Sequence, residues 1–266
     1  DLFNLFVAFE MMLVSSYVLL TLGGRPGQVR SGMSYIVISL IASTLFITTL
    51  ALVYSATGTV NMAELSERIP ELSSGVRTGF SLLLIAVFGI KAGIFPFFFW
   101  LPDSYPTAPN AVTAIFAGLL TKVGVYAIIR TQLLLFPKDA QQGTLLLVVA
   151  GATMIVGVLG ALANDDLQRI LSFHIISHIG YMIMGLGLFT LAGVAGAVFY
   201  VVHHIVVKTA LFLVAALIER KAGSDRLSRL GGMIRSAPVI AVLYALPALS
   251  IAGLPPFSGF VAKFAL

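Results

Sequence analysis

Four lysines of this sequence lie inside long apolar stretches: Lys91, Lys122, Lys208 and Lys263. An ammonium group is costly in hydrocarbon, so ionisable side chains within membrane segments usually belong to an ion path or a proton relay. Lysine, unlike arginine, can lose its proton when burial disfavours the charged form. These residue types therefore indicate a path along which protons are taken up and released.

Glu10 is the only carboxylate inside an apolar stretch. An unpaired carboxylate in that environment takes up a proton and becomes neutral, unless a cation from another helix faces it. Lys91, about half a membrane span from either flanking loop, is the predicted partner. A Glu/Lys pair can open when a proton reaches a neighbouring group, so we expect this pair to act as a switch.

Histidines add a second group of titratable side chains. His174 and His178 are four residues apart, as are His204 and Lys208, so each pair is expected on one helix face. Histidine titrates near neutral pH through two ring nitrogens and suits a relay. A metal site at the first pair would need a further ligand nearby, so no metal and no cofactor are predicted. His203, about 100° around the helix from His204, is expected to face lipid or to pack.

Prolines interrupt two of the apolar stretches, Pro96 in GIKAGIFPFFFW and Pro255 and Pro256 in IAGLPPFSGF. Proline removes one backbone hydrogen bond and frees a carbonyl about one turn earlier, which a membrane tolerates only where protein or water satisfies it. We therefore expect two broken helices, each with a hydrated polar pocket, beside Lys91 and Lys263. For Lys263, a position at the membrane interface is the alternative.

The elements that hold these residues are predicted to be membrane helices. The chain has 266 residues, of which 59% are hydrophobic and only 10% charged, and a membrane-crossing helix needs about 20 apolar residues. The predicted fold class is an all-α, polytopic transmembrane helical bundle. Eight spans are expected, approximately over residues 1–22, 31–56, 78–101, 108–135, 142–163, 167–189, 192–218 and 237–266.

Composition also excludes several classes of function. The chain has no cysteine, so it has no disulfide, thiolate ligand or thiol nucleophile, and no catalytic chemistry of its own is predicted. The net charge of +5 is not gathered into a basic surface patch, which argues against nucleic acid as a partner. Both ends of the chain fall within apolar stretches, so residues 1–266 are interpreted as one transmembrane domain of a longer protein.

Positively charged loop residues predict the orientation in the membrane. Loops on one side carry eight lysines and arginines, and loops on the other side carry four. Because cytoplasmic loops carry the excess of positive charge, the 219–238 loop is expected in the cytoplasm. The start of the first span is then expected on the outer side.

Two short matches predict an internal repeat. AGIFPF at residues 92–97 corresponds to AGLPPF at 252–257, and Phe9, Glu10 and Tyr17 correspond to Phe173, His174 and Tyr181. Each match joins spans that are five helices apart, and an odd separation reverses the direction across the membrane. The expected architecture is therefore an inverted repeat, with halves at about 1–135 and 142–266. Chance similarity between apolar helices is the alternative.

The stretch GIKAGIFPFFFWLPDSYPTAPNAVTAIFAGLLTKVGVYAIIR, residues 89–130, resembles the signature region of the proton-translocating antiporter-like membrane subunits. This family is shared by multisubunit Mrp-type sodium/proton antiporters, respiratory complex I and membrane-bound hydrogenases. DLQRILSFHIISHIGYMIMGLG and IAGLPPFSGFVAKFAL extend the resemblance over essentially the whole chain, which is most similar to the Mrp-type subunits.

The resemblance implies two inverted five-helix repeats and a proton path. In the family, a glutamate and a lysine of the first repeat form the input pair, which corresponds to Glu10 and Lys91. A central lysine corresponds to Lys122, and the exit-side residue on the second broken helix corresponds to Lys263. Some complex I subunits carry a glutamate at that last position, so its lysine leaves the member of the family open. The family's remaining lysine or histidine position corresponds to Lys208, with His204 beside it.

The resemblance further implies a proton-translocating subunit of a sodium/proton antiporter in the bacterial inner membrane. Its expected partners are other membrane subunits of a hetero-oligomeric complex, the lipid bilayer, and H⁺ and Na⁺ as transported ions. The alternative is a proton-pumping subunit of NADH-quinone oxidoreductase or of a membrane-bound hydrogenase, and a purely structural membrane scaffold is a third hypothesis. Because sodium sites need several oxygen ligands, the chain is expected to carry protons.

Overall fold

The computed structural model describes all residues 1–266, which form helices and connecting turns without any β-strand. In chain order the α-helices are α1 (Leu2–Leu20), α2 (Pro26–Thr57), α3 (Met62–Arg68), α4 (Ser74–Ala92), α5 (Trp100–Ser104), α6 (Asn110–Ile115), α7 (Thr121–Leu134), α8 (Gly143–Leu162), α9 (Leu167–Gly187), α10 (Leu191–Ala222), α11 (Met233–Ser236), α12 (Pro238–Ala252) and α13 (Ser258–Phe264). A π-helical turn, Phe116–Leu120, joins α6 to α7.

Seven helices are long and apolar enough to cross a membrane: α1, α2, α4, the continuous segment Asn110–Leu134, α8, α9 and α10. The polytopic all-α fold is thus confirmed, and the chain is a multi-pass membrane protein. The eighth predicted span is broken, as its prolines predict: α12 ends at Ala252 and α13 begins at Ser258. Pro255 and Pro256 lack the backbone N–H groups that would carry the helix across this gap.

The two broken helices end in the same way. The helix α4 ends at Gly93 with φ of 75°, and α12 ends at Gly253 with φ of 85°. Glycine adopts this left-handed conformation without a steric penalty, which makes it the usual helix terminator. The predicted third span, 78–101, is accordingly interrupted. The long helices α2 and α10, which precede the two breaks in the chain, each have 32 residues.

Two glycines allow the helices that carry the lysines to approach one another. A Cβ at Gly124 of α7 would stand 2.6 Å from the backbone nitrogen of Ala92, so α7 packs against the end of α4. A Cβ at Gly118, in the π turn, would stand 2.3 Å from the Thr209 hydroxyl of α10. Small residues at such contacts let membrane helices pack closely by van der Waals contact. The segment Asn110–Leu134, hereafter the central segment, therefore touches both α4 and α10.

Polar contacts gather the loops at two ends of the bundle. At one end, Arg169 donates to Asp103 over 2.8 Å and the Ser228 amide donates to Asp165 over 3.0 Å. At the other end, Arg77 pairs with Asp139 over 2.7 Å. The contacts at the first end involve the 102–110, 164–166 and 219–238 loops. The count of lysines and arginines in the loops predicts that these three loops lie together on the more positive side.

Candidate functional site

Lys122 lies in the core of the bundle, two residues after the end of the π turn at Leu120. Its side chain is 2% exposed, and its Nζ donates a hydrogen bond to the carbonyl of Ala117, five residues earlier. A π turn inside an α-helix is uncommon and frequently marks a functional position. Here Ala117 lies within that turn, so a backbone oxygen of the helix itself solvates the buried amine.

Glu10 and Lys91 do not form a direct ion pair, since no ion pair within 4.0 Å joins them. Lys91 Nζ donates to the Ser39 carbonyl at 3.5 Å and stands 5.8 Å from the ring centre of Phe9, the residue before Glu10. Oε1 of Glu10 is buried without a hydrogen-bond partner. The predicted partners thus lie near one another, but Lys91 is held by a carbonyl and an aromatic face.

A small cavity adjoins Lys91. It has a volume of about 10 Å³, and its polar lining comes from Ser39, Tyr35 and the lysine itself. That volume is roughly the space that one water molecule needs. The hydrated pocket expected at the first break is therefore small, because side chains of neighbouring helices fill most of the space.

The first helix break is satisfied mainly by protein groups. The indole Nε1 of Trp100 donates to the Ile90 carbonyl over 3.1 Å, and the Phe95 amide donates to the Thr153 hydroxyl over 3.0 Å. In the sequence, Pro96 directly follows Phe95 and precedes Trp100. These two backbone groups at the break thereby gain partners from α8 and α5, as a helix broken inside a membrane requires.

Three histidines form one cluster, in which His178 and His204 are buried and His174 is partly buried. The Nδ1 of His178 shares a hydrogen bond with the Tyr200 hydroxyl, and the ring centres of His178 and His204 are 5.3 Å apart. The ring centre of His174 is 6.3 Å from that of His178. His204 is fully buried, and neither of its ring nitrogens has a partner. Such orphaned polar atoms need an explanation, and a relay that passes protons through water supplies one.

Lys208 lies one turn beyond His204 on α10. Its side chain is fully buried, and Nζ donates to the Leu171 carbonyl of α9 over 3.3 Å. The contact between Gly118 and Thr209 brings the π turn of the central segment to the same part of α10. Lys122 and Lys208 therefore lie on helices that touch one another in the core of the bundle.

Lys263 lies at the second break. Its Nζ donates to the carbonyl of Ala252, the last residue of α12, over 3.1 Å, and stands 5.7 Å from the ring centre of Tyr181. Pro255 and Pro256 occupy the gap between α12 and α13. The ammonium group thus satisfies the end of the broken helix, in the manner of Trp100 at the first break, and points toward the bundle.

Sequence reasoning missed two sets of polar contacts. His203, expected to face lipid or to pack, is 7% exposed and so packs, but its Nδ1 also lies 3.1 Å from the Ser258 hydroxyl. That partner belongs to another helix, so no pattern along α10 predicts the contact. At the end of α10, the carboxylate of Glu219 accepts hydrogen bonds from Gln168 over 2.9 Å and Asn110 over 3.1 Å. No local motif predicts that group.

Together these features define a class of protein: a multi-pass membrane protein whose core holds lysines and histidines between two broken helices. The model of the family described as NADH:quinone oxidoreductase/Mrp antiporter, TM, matches residues 1–266. The chain therefore belongs to the NADH:quinone oxidoreductase/Mrp antiporter transmembrane family, and the resemblance that the motifs carry is confirmed.

Two relatives give the resemblance more detail. A Na(+)/H(+) antiporter subunit from Alkalihalophilus pseudofirmus is 50% identical over 268 residues, which cover 100% of this chain and 54% of that protein. The protein of the same name from Bacillus subtilis is 42% identical, with 99% and 54% coverage. The chain spans about half the length of these relatives.

Solved structures agree with the fold. The structure of the Mrp complex from Dietzia sp. DQ12-45-1b contains a chain with 41% identity and a TM-score of 0.94, and the match covers 100% of this chain and 50% of that one. The membrane-bound sulfane sulfur reductase, an archaeal respiratory membrane complex, contains another with 29% identity and the same TM-score, covering 100% and 55%.

Proposed function

We propose that the chain is part of a proton-translocating subunit of a multisubunit sodium/proton antiporter in the bacterial inner membrane. The carrying observation is the set of almost fully buried titratable side chains, Lys122, His178, His204 and Lys208, within a fold whose relatives are named as Na(+)/H(+) antiporter subunits. Ionisable groups are costly at such depth, so they are retained where a proton path needs them. Other membrane subunits complete the complex.

The proposed path enters at Glu10 and Lys91. A carboxylate that accepts no hydrogen bond at Oε1 can take a proton without breaking a contact. Protonation of Glu10 removes a negative charge near Lys91 and so favours release of the lysine proton. The small cavity beside Lys91 has room for roughly one water molecule to carry that proton onward.

The path continues through the centre and leaves at the second break. Lys122 receives the proton on the central segment, and Lys208 receives it on the adjoining α10. The histidine cluster of His174, His178 and His204 exchanges protons beside Lys208, and Lys263 delivers them to the far side. A proton on one lysine disfavours a second proton on its neighbour, so protonation of one lysine favours release of the proton from the next.

The broken helices are proposed to gate this path. Trp100 and Lys263 hold the ends of α4 and α12, each by a single hydrogen bond to a carbonyl of the last turn. Interrupted helices at corresponding positions of a repeat mark the transport site in many transporters. The chain would then be one transmembrane domain with corresponding halves at about 1–135 and 142–266.

Sodium is proposed to cross elsewhere in the complex. Hard cations such as sodium prefer several oxygen ligands, and the core residues described here are mostly amines and imidazoles. The path through this chain therefore carries protons, and partner subunits supply the sodium route.

A redox-driven proton pump is the second candidate. It is favoured by the match to an archaeal respiratory membrane complex, whose chain aligns over the full length of this one. The proton path through Lys122 and Lys208 would be the same. The energy source would be a reductant oxidised on other subunits.

Transport in proteoliposomes tests the proposal. The intact parent complex is reconstituted with a pH-sensitive dye inside, and a sodium gradient is imposed without NADH, quinone or hydrogen. We expect the sodium gradient to move protons, and we expect Lys91→Ala to abolish that movement while the complex still assembles. Lys138→Ala, at an exposed loop lysine, is the matched control and should transport as the native complex does.

The other outcomes separate the candidates. Proton movement that starts only after a reductant is added would establish the redox-driven pump and overturn the antiporter. Loss of assembly in Lys91→Ala, with normal assembly of Lys138→Ala, would instead favour a structural scaffold.

A further inference from the structure

His203 is a buried histidine outside the proposed path. Its side chain is 7% exposed, its Nδ1 lies 3.1 Å from the Ser258 hydroxyl oxygen, and its Nε2 is buried without a hydrogen-bond partner. An orphaned ring nitrogen is costly in an apolar core unless water or a proton donor reaches it. The ring therefore has one nitrogen engaged and the other free, which is the arrangement that a proton carrier uses.

The nitrogen that contacts Ser258, Nδ1, lies beside the second helix break. Ser258 is the first residue of α13, and its Oγ is 3.4 Å from the Oγ of Ser250, a buried residue near the end of α12. Each hydroxyl can donate one hydrogen bond and accept another. The two serines thus connect the imidazole of His203 across the gap at residues 253–257, close to the Ala252 carbonyl that binds Lys263.

The ring of His203 also lies near the histidine cluster. Tyr200 lies three residues earlier on α10, and its ring centre is 6.0 Å from that of His203. The hydroxyl of Tyr200 is hydrogen-bonded to Nδ1 of His178. His203 therefore stands between a group already assigned to the proton path and the hydroxyl pair at the break.

We propose that His203 carries protons from the His178–Tyr200 pair to the Ser258–Ser250 hydroxyl pair, as a branch of the path that ends at the second broken helix. This inference rests on the proposed function. In the step, a proton binds Nε2 while the Nδ1 proton passes to Ser258, the Ser258 hydroxyl proton passes to Ser250, and the Ser250 proton passes to a water molecule. One proton enters and one leaves, so no oxidant or reductant is required.

In a purely structural role, His203 would only link α10 to α13 through its hydrogen bond to Ser258. Glutamine distinguishes the two roles, because its amide can still hydrogen-bond Ser258 but does not titrate. In the reconstituted parent complex with a sodium gradient, we expect His203→Gln to assemble fully. Its initial rate of proton movement should fall by about tenfold or more, as expected for loss of a positioned proton-transfer group.

Chemical rescue is the second measurement. His203→Ala leaves a space beside Ser258, and imidazole added to the medium should restore much of its lost rate. Imidazole should restore nothing in Ser258→Ala, which keeps His203 and loses the hydroxyl that follows it. Freely diffusing imidazole cannot replace a side chain whose only role is to link two helices, so rescue separates proton transfer from packing.

The outcomes also separate this inference from the function on which it rests. Native rates in His203→Gln, with transport abolished in Lys208→Ala, would overturn the branch and leave the antiporter proposal intact. A slow His203→Ala complex that imidazole does not accelerate would likewise overturn the branch. If the native complex moves no protons under a sodium gradient, the proposed function fails and the branch fails with it.

Discussion

The amine of Lys122 donates its hydrogen bond to the Ala117 carbonyl, across the single π-helical turn of the structure. In a regular α-helix, the carbonyls near a lysine side chain already accept hydrogen bonds from backbone N–H groups four residues later. The π turn changes that ladder locally at the position where the lysine needs an acceptor. The helix thereby supports a buried amine without a carboxylate partner.

This relationship predicts that titration at position 122, rather than positive charge, is required. Lys122→Arg keeps the charge but cannot release its proton, because the guanidinium stays protonated under protein conditions. We expect sodium-driven proton movement to fall about a hundredfold or more in Lys122→Arg, as for loss of an acid–base group. Lys138→Arg on the exposed loop should transport normally. Native transport in Lys122→Arg would show that a fixed charge suffices.

Glu10 offers a substitution that separates transport from stability. Its Oε1 accepts no hydrogen bond, so Glu10→Gln removes a titratable group at little cost in packing. We expect the variant complex to assemble and to melt near the native temperature, while proton movement is lost. Glu67→Gln, on the exposed end of α3, is the matched control. A large drop in melting temperature for Glu10→Gln alone would indicate a structural carboxylate instead.

The hydroxyl of Thr153 is predicted to stabilise the first helix break. It accepts from the Phe95 amide, and Thr153→Val leaves that N–H without a partner, at a cost of about 1–3 kcal/mol. Thr131→Val is the matched control, because the Thr131 hydroxyl bonds only within its own helix, mainly at Ala127. Thermal unfolding of the detergent-solubilised complex should show a lower melting temperature for Thr153→Val than for Thr131→Val. Equal shifts would show that water satisfies Phe95.

The loop at the positive end should open as pH rises. Burial, with Asp225 close by, raises the pKa of Asp166 from 3.8 to about 7. The folded loop thus holds a proton that the open loop releases, so the contact weakens between about pH 4 and pH 7 as the pH increases. The readout is hydrogen exchange at the Leu167 and Leu227 amides, which donate to Asp225 and Asp165 across this contact.

Asp166→Asn removes the titration and serves as the reference at each pH. The ratio of native to variant protection should fall across this pH window, because only the native loop loses a stabilising proton. Parallel exchange profiles in the two proteins would contradict the prediction and would show that the arginines of this end hold the loop at every pH.

Much of the architecture is predictable from local sequence. Apolar length gives the membrane helices, and Gly93 and Gly253 with the prolines after them give the two interruptions. Apolar length delimits the eighth span at residues 237–266, and Pro255 and Pro256 predict the break that the structure has between Ala252 and Ser258. The identities of Lys122 and Lys208 also mark the candidate site, since no common structural role places lysine so deep.

The sequence by itself determined the membrane class, the number of apolar segments and the titratable residues, because these depend on composition and on spacing along one helix. Only the tertiary structure decided the partners: Trp100 at the Ile90 carbonyl, and His203 at the Ser258 hydroxyl. Each partner comes from another segment of the chain. Its choice follows from how helices of irregular shape pack together, and no pattern along a single helix carries that information.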